Sequence, residues 1–168
     1  MVMITVNGQP MRLVGRKVSV GDRAGDVRVT GLDLSPVLPL DQSQGKIRLL
    51  ITVPSLDIAP CSLVVREFSD RLHQFGNSVA AYLISADLPF AQQRWKQAIG
   101  VDNITLLSDY RDMDFARDWG VLVQDLGLSA QAAFVVDATG IVIYREIVTE
   151  WLAEPDYDGA IAALQTAL

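Results

Sequence analysis

Apolar runs separated by turn signals divide the chain into alternating strands and helices. Val2 to Val6 and Met11 to Val14 are short apolar runs on either side of Asn7-Gly8. Asn-Gly favours a two-residue hairpin turn, so the chain is expected to open with a β-hairpin. Val27 to Leu32 reads as a further short strand, and Ser35 to Lys46, with Pro36, Pro39 and Gly45, reads as loop. Ile47 to Val53 is almost wholly apolar, the pattern of a strand buried on both faces. Pro54 ends it. Leu63, Val64, Phe68, Leu72 and Phe75 then recur at helical spacing, while Arg66, Asp70 and Arg71 fall mostly on the other face. Asp57 suits the cap of that helix and Pro60 its first turn.

The second half repeats the alternation. Val79 to Ile84 reads as a buried strand, Phe90 to Ile99 as a short helix begun by Pro89, and Ile104 to Leu107 as a short strand. Asp114 to Trp119 allows a helical turn or two. Ala132 to Val136 and Ile141 to Tyr144 read as strands joined by Asp137-Ala138-Thr139-Gly140. Glu154-Pro155-Asp156 opens a last helix with Ala160, Ala163 and Leu164 on one face. The order is hairpin, βαβα, hairpin, α. It predicts an α/β fold, a thioredoxin-like three-layer α/β/α domain with an added N-terminal β-hairpin. No repeat or low-complexity tract divides the chain, so residues 1–168 are expected to form one domain.

Charge and composition narrow the function. The formal net charge is -6, whereas nucleic acid and anionic membrane surfaces call for clustered Lys and Arg. No apolar stretch is long enough to span a bilayer, and the N-terminus has no basic segment followed by an apolar run. The expectation is a cytoplasmic protein. Cys61 is the only cysteine and His73 the only histidine. An internal disulfide and a thiolate zinc site are therefore excluded, and a Cys-His pair would have to use His73. No acidic cluster has metal-ligand spacing and no Gly-rich loop has phosphate-cradle spacing, so neither metal nor cofactor is expected.

Cys61 follows a strand and falls near the first turn of a helix. Unpaired N–H groups and the helix dipole stabilise an anion there, which lowers a thiol pKa and raises the fraction of attacking thiolate. A lone cysteine can equally be a small buried hydrophobe. Position alone does not choose between the two. His73 is expected in solvent and Asp87 in a turn or cap. Trp95 and Trp119 are expected in the core or a dimer contact, and Lys96 at the surface.

Three stretches add a resemblance. Pro54 to Cys61, PSLDIAPC, resembles the peroxidatic loop of the peroxiredoxins, Pro-x-x-x-Thr-x-x-Cys. In the thiol peroxidase branch that loop narrows to Pro-Ser-x-Asp-Thr-x-x-Cys. Ser85 to Arg94, SADLPFAQQR, and Glu154 to Leu164, EPDYDGAIAAL, resemble two further stretches of that branch, with matching spacing over nearly the whole chain. The resemblance implies that Cys61 is the peroxidatic cysteine, with Pro54 and positions 58 and 131 in its pocket. Three positions depart from the family. Its Thr, which bonds the thiolate and orients peroxide, is Ile58. Its Arg is Gln131, which can donate but carries no charge. Its resolving cysteine is Lys96. Pro60 also removes an N–H beside Cys61. Arg66, Arg94 and Lys96 are the candidates to supply a missing cation.

Two functions remain open at this stage. One is a one-cysteine peroxidase, in which Cys61 is oxidised by hydrogen peroxide or an alkyl hydroperoxide and regenerated by thioredoxin or a small thiol. The other is a relative without catalysis, a binding or sensing protein. A third, weaker option is a thiol enzyme acting on another electrophile. The family resemblance implies a homodimer.

Overall fold

The computed structural model describes residues 2–168. The hairpin forms as expected. Strands β1 (Met3–Val6) and β2 (Gln9–Val14) pair antiparallel, and both turn residues take positive φ, 52° at Asn7 and 78° at Gly8. Strand β3 (Val29–Thr30) pairs with β4 (Pro36–Val37), and a one-turn helix α1 (Pro39–Gln42) follows. The loop expected over residues 35–46 therefore contains a strand and a helical turn, both too short to show a period.

The centre is a parallel ladder. Strand β5 (Ile47–Thr52) pairs in parallel with β6 (Val79–Ser85), which pairs in parallel with β7 (Thr105–Ser108). On the other side β5 pairs antiparallel with β10 (Ala132–Val136), and β10 with β11 (Val142–Ile147). With β3 and β4 at the far edge, the order is β11-β10-β5-β6-β7-β3-β4. The period-2 rule divides the core into two. Ile47, Leu49 and Ile51 of β5, with Ala133 and Val135 of β10, face one side; Leu50, Phe134 and Val136 face the other.

Helices α2 (Ala59–Leu72) and α5 (Tyr157–Ala167) cover the first face, with Trp95 of α3 (Pro89–Ile99). Phe68 of α2 meets Tyr157 of α5 edge to face, centroids 5.0 Å apart, and the Arg71 guanidinium lies over the same ring. Asp156 caps α5 by accepting from the Gly159 N–H at 3.0 Å. The second face is only partly helical. It carries α4 (Asp114–Asp118) and a small sheet of order β1-β2-β8-β9, completed by β8 (Leu122–Val123) and β9 (Leu128–Ser129). Those two-residue strands carry no sequence period. They make the N-terminal hairpin part of this outer layer. Trp119, fully buried, lies between Phe115 and Phe134 and joins α4 to the central sheet.

The hairpin is fastened where two backbones touch. A Cβ on Gly15 would stand 2.1 Å from the Arg117 carbonyl oxygen, and one on Gly120 would stand 2.3 Å from that of Arg16. Both glycines also have positive φ, 114° and 70°. Gly120→Ala is expected to cost more than about 2 kcal/mol, because strain and a backbone clash add. Urea unfolding of the two proteins measures it, and equal midpoints would contradict the close approach.

Candidate active site

The parallel pairing of β5 and β6 brings two loops out of the sheet side by side. Pro54, buried, leads the first loop from β5 into α2. Ile58 is the N-cap of α2, in extended conformation at φ -91°, and its side chain accepts no capping bond. The cap expected at Asp57 does not form. Asp57 is exposed, with its carboxylate 3.9 Å from the Arg94 guanidinium. Pro60 lies in the first turn, as expected.

Cys61 is in that turn with no exposed surface, packed in the core with Leu56, Val64 and Val65, and with Ile58 against the cluster. The helix end offers an anion little. Pro60 has no N–H, and those of Cys61 and Ser62 both donate to the Ile58 carbonyl, at 3.0 and 3.1 Å. Burial pushes the Cys61 thiol up to about 11; the Ser55 backbone N–H lowers it and the Asp87 charge raises it further. The three candidate cations are placed elsewhere. Arg94 is turned to Asp57, Arg66 is exposed, and Lys96 lines a groove with Leu32, Asp33 and Asp102 at the β7 side of the sheet.

Gln131 is buried just before β10. Ala132 pairs with Thr52, so the same register sets Gln131 beside Val53, at the root of the Pro54 loop. Its side-chain N–H donates to the Ala153 carbonyl, while its own side-chain oxygen is buried without a partner. The amide thus fastens the segment before α5. His73 is exposed at the end of α2, and Trp95 and Trp119 are both core residues. The Trp95 indole N–H donates to Ser62 Oγ at 2.9 Å, tying α3 to the turn that holds Cys61.

Asp87 is the residue whose role the sequence concealed. It neither caps α3, whose N-cap is Leu88, nor simply closes a turn. Its carboxylate accepts from Ser55 Oγ at 2.6 Å, the Leu56 N–H at 2.8 Å and Ser85 Oγ at 2.6 Å. Ser108 Oγ donates to its backbone carbonyl. Behind it, the buried Gln92 donates to Ser85 Oγ and to the Leu107 carbonyl. The one available signal was the SADLPF stretch itself.

The arrangement is a buried, helix-borne thiol after a central strand, under a Pro-led loop. The profile of the AhpC/TSA family matches residues 20–145. A thiol peroxidase of Halalkalibacterium halodurans is 43% identical over 168 residues, the full length of both chains. The chain belongs to this peroxiredoxin family, in its thiol peroxidase branch. A thiol peroxidase of Listeria monocytogenes is 40% identical over 99% of this chain and 100% of its own. Among solved structures, a peroxiredoxin-like protein from Aquifex aeolicus superposes with a TM-score of 0.90 at 32% identity, covering 99% of this chain and 97% of its own. A thiol peroxidase from Chromobacterium violaceum has the same fold, with a TM-score of 0.88 at 24% identity over 98% of this chain and 95% of its own. The thioredoxin-like fold of the peroxiredoxins is thus the fold of this chain.

The raised thiol has a stability consequence. A folded pKa near 11 exceeds the unfolded value of about 8.5, so folding favours the neutral thiol. That contribution, on the order of 3 kcal/mol, is complete below pH 8.5 and is lost as pH rises through 11. Burial raises Tyr144 and Tyr157 as well, and they destabilise in the same direction. The comparison must therefore be with Cys61→Ala. The native protein is expected to lose more stability than the variant between pH 8.5 and 11, measured by urea unfolding. Parallel curves would contradict the buried neutral thiol.

Proposed function

We propose that this thiol peroxidase relative reduces hydrogen peroxide or alkyl hydroperoxides through Cys61 alone, slowly, with an external thiol as reductant. The Cys61 thiolate attacks one peroxide oxygen. An S–O bond forms, the O–O bond breaks, and the leaving oxygen takes a proton as water or alcohol. Cys61 is left as a sulfenic acid. Two equivalents of thiol, from thioredoxin or a small thiol, then return it to the thiol, giving a disulfide and water. Lys96 stands where the family's resolving cysteine would be, so no disulfide can form within the chain. The reading requires a thiol-reducing compartment, for which the cytoplasm is the natural setting. It treats residues 1–168 as one catalytic unit. The homodimer implied by the family finds support in Leu88 and Phe90, both large, apolar and exposed at the start of α3.

The observation that carries the reading is the position of Cys61. It stands in the first turn of α2, under the Pro54–Asp57 loop, in a chain 43% identical over its full length to a thiol peroxidase. Slowness follows from the same site. With a thiol near 11, about one molecule in ten thousand is thiolate at pH 7. Ile58 contributes no hydroxyl and Gln131 no charge. These same facts favour the second reading, a relative that binds or senses without turnover. Peroxide consumption with thioredoxin or dithiothreitol, and trapping of the sulfenic acid, decide between them. Slow turnover abolished by Cys61→Ser is expected; no turnover and no trapped sulfenic acid would leave the second reading.

Ile58 offers a gain-of-function test. Thr there would put a hydroxyl in the loop and a favourable residue at the N-cap. A hydrogen bond to a charged group is worth about 1.5–3 kcal/mol, or roughly ten- to a hundredfold in rate. Ile58→Thr is expected to speed peroxide oxidation of Cys61 by about tenfold or more with little change in melting temperature. An unchanged rate would remove the missing hydroxyl as a cause of slowness.

A further inference from the structure

We propose that Asp87 is the positioning residue of the Cys61 loop, and that its charge restrains the nucleophile that it positions. The inference rests on the reading of Cys61 as the reacting group and adds how that group is held and checked. One carboxylate oxygen takes Ser55 Oγ; the other takes the Leu56 N–H and Ser85 Oγ. Leu56 packs the loop into the core, but its other polar ties are local. Ser55 Oγ accepts from the Asp57 N–H at 3.1 Å, and the Ser55 carbonyl accepts from the Ile58 N–H at 3.2 Å, but both bonds lie within the loop. Asp87 is the tie from those residues to the sheet, through Ser85, Ser108 and Gln92. Because it fixes Ser55, it fixes the one N–H that acts favourably on the sulfur.

The same carboxylate is bonded to Ser55 and to Leu56, and Leu56 shares one buried core cluster with Cys61, so its negative charge stands in the loop over a thiol that must become an anion to react and opposes that ionisation. Other charged or titratable groups stand round the site. Asp57 and Arg94 pair above the loop, Arg66 lies on the exposed side of α2, and Asp109 follows β7 with its N–H on the Ser85 carbonyl. Tyr157 packs on Phe68 from α5. Anchoring and restraint are separable, because an amide can keep most of the bonds without the charge. In Asp87→Asn the oxygen can accept from Leu56 and Ser85. The new NH2 can donate to Ser55 Oγ, a hydroxyl able to accept.

The test reads each property separately. The carbon-13 shift of Cys61 labelled at Cβ, followed against pH, reports its ionisation whether or not it reacts with peroxide and without needing access to the buried sulfur. Amide hydrogen exchange over residues 55–58 reports the loop. Asp87→Asn is expected to move the Cys61 titration to lower pH, raising the thiolate fraction at pH 7 several-fold, with its loop exchange near native. Asp87→Ala is expected to exchange at least tenfold faster in the loop, with the Asn variant rescuing it. Ser55→Ala, which leaves the carboxylate in place, is expected to be intermediate and serves if the Asp87→Ala protein does not fold. An Asp87→Asn profile equal to native, or moved to higher pH, overturns the restraint. Native exchange in Asp87→Ala or Ser55→Ala overturns the anchor. If these results hold and no protein forms a sulfenic acid with peroxide, the positioning role stands and the peroxidase reading falls.

Discussion

The site depends on the parallel register of β5 and β6. Thr52 pairs with Ile84, so the chain three residues beyond each partner leaves the sheet at the same level. Those residues are Ser55 and Asp87, and they meet at 2.6 Å. Carboxyl ends of adjacent parallel strands are where α/β sheets build sites, because both connections emerge there. Here the register brings a carboxylate of one connection onto the hydroxyl and N–H groups of the other. Helix α2, and with it Cys61, starts from a loop held in that way. A slip of one residue would reverse every side chain of β5 between the two cores and separate the pair.

Desolvation then sets the chemistry. The sulfur is packed among Leu56, Val64 and Val65, and its burial outweighs the single N–H that favours the thiolate. Peroxiredoxin chemistry asks for the opposite balance, with donors and positive charge directed at the sulfur. In this chain the sulfur is fully buried, with a hydrocarbon side chain at the start of its helix. Ile58, at the helix start, makes no side-chain cap bond, and the Gln131 amide is engaged with the Ala153 carbonyl. Arg94 lies in solvent, within 3.9 Å of the exposed Asp57 carboxylate.

The elements with a strong period were legible in the sequence. The apolar run of β5, the stripe of α2 and the Asn7-Gly8 turn each stand close to where pattern alone sets them. The two-residue strands β3, β4, β8 and β9 were blurred or invisible, since a ladder that short carries no alternation. Cys61 could be singled out from its place after a strand and from PSLDIAPC, but its burial could not. Fractional exposure depends on how α2 tilts onto β5 and α5, which no local pattern encodes. Asp87 was missed for a similar reason. Asp before Leu-Pro reads as local turn chemistry, while its partners lie 31 and 32 residues earlier. Asp57 misled in the other direction, because a good capping residue was placed one position too early and faces solvent.

The ionisation of Cys61 is the most direct test of this picture. With the single cysteine labelled at Cβ with carbon-13, its chemical shift can be followed against pH by NMR without any added reagent. A midpoint near 11 is expected for a thiol desolvated by burial. A midpoint below about 8.5, the value of a free cysteine, would contradict it and would mean that the folded protein stabilises the thiolate.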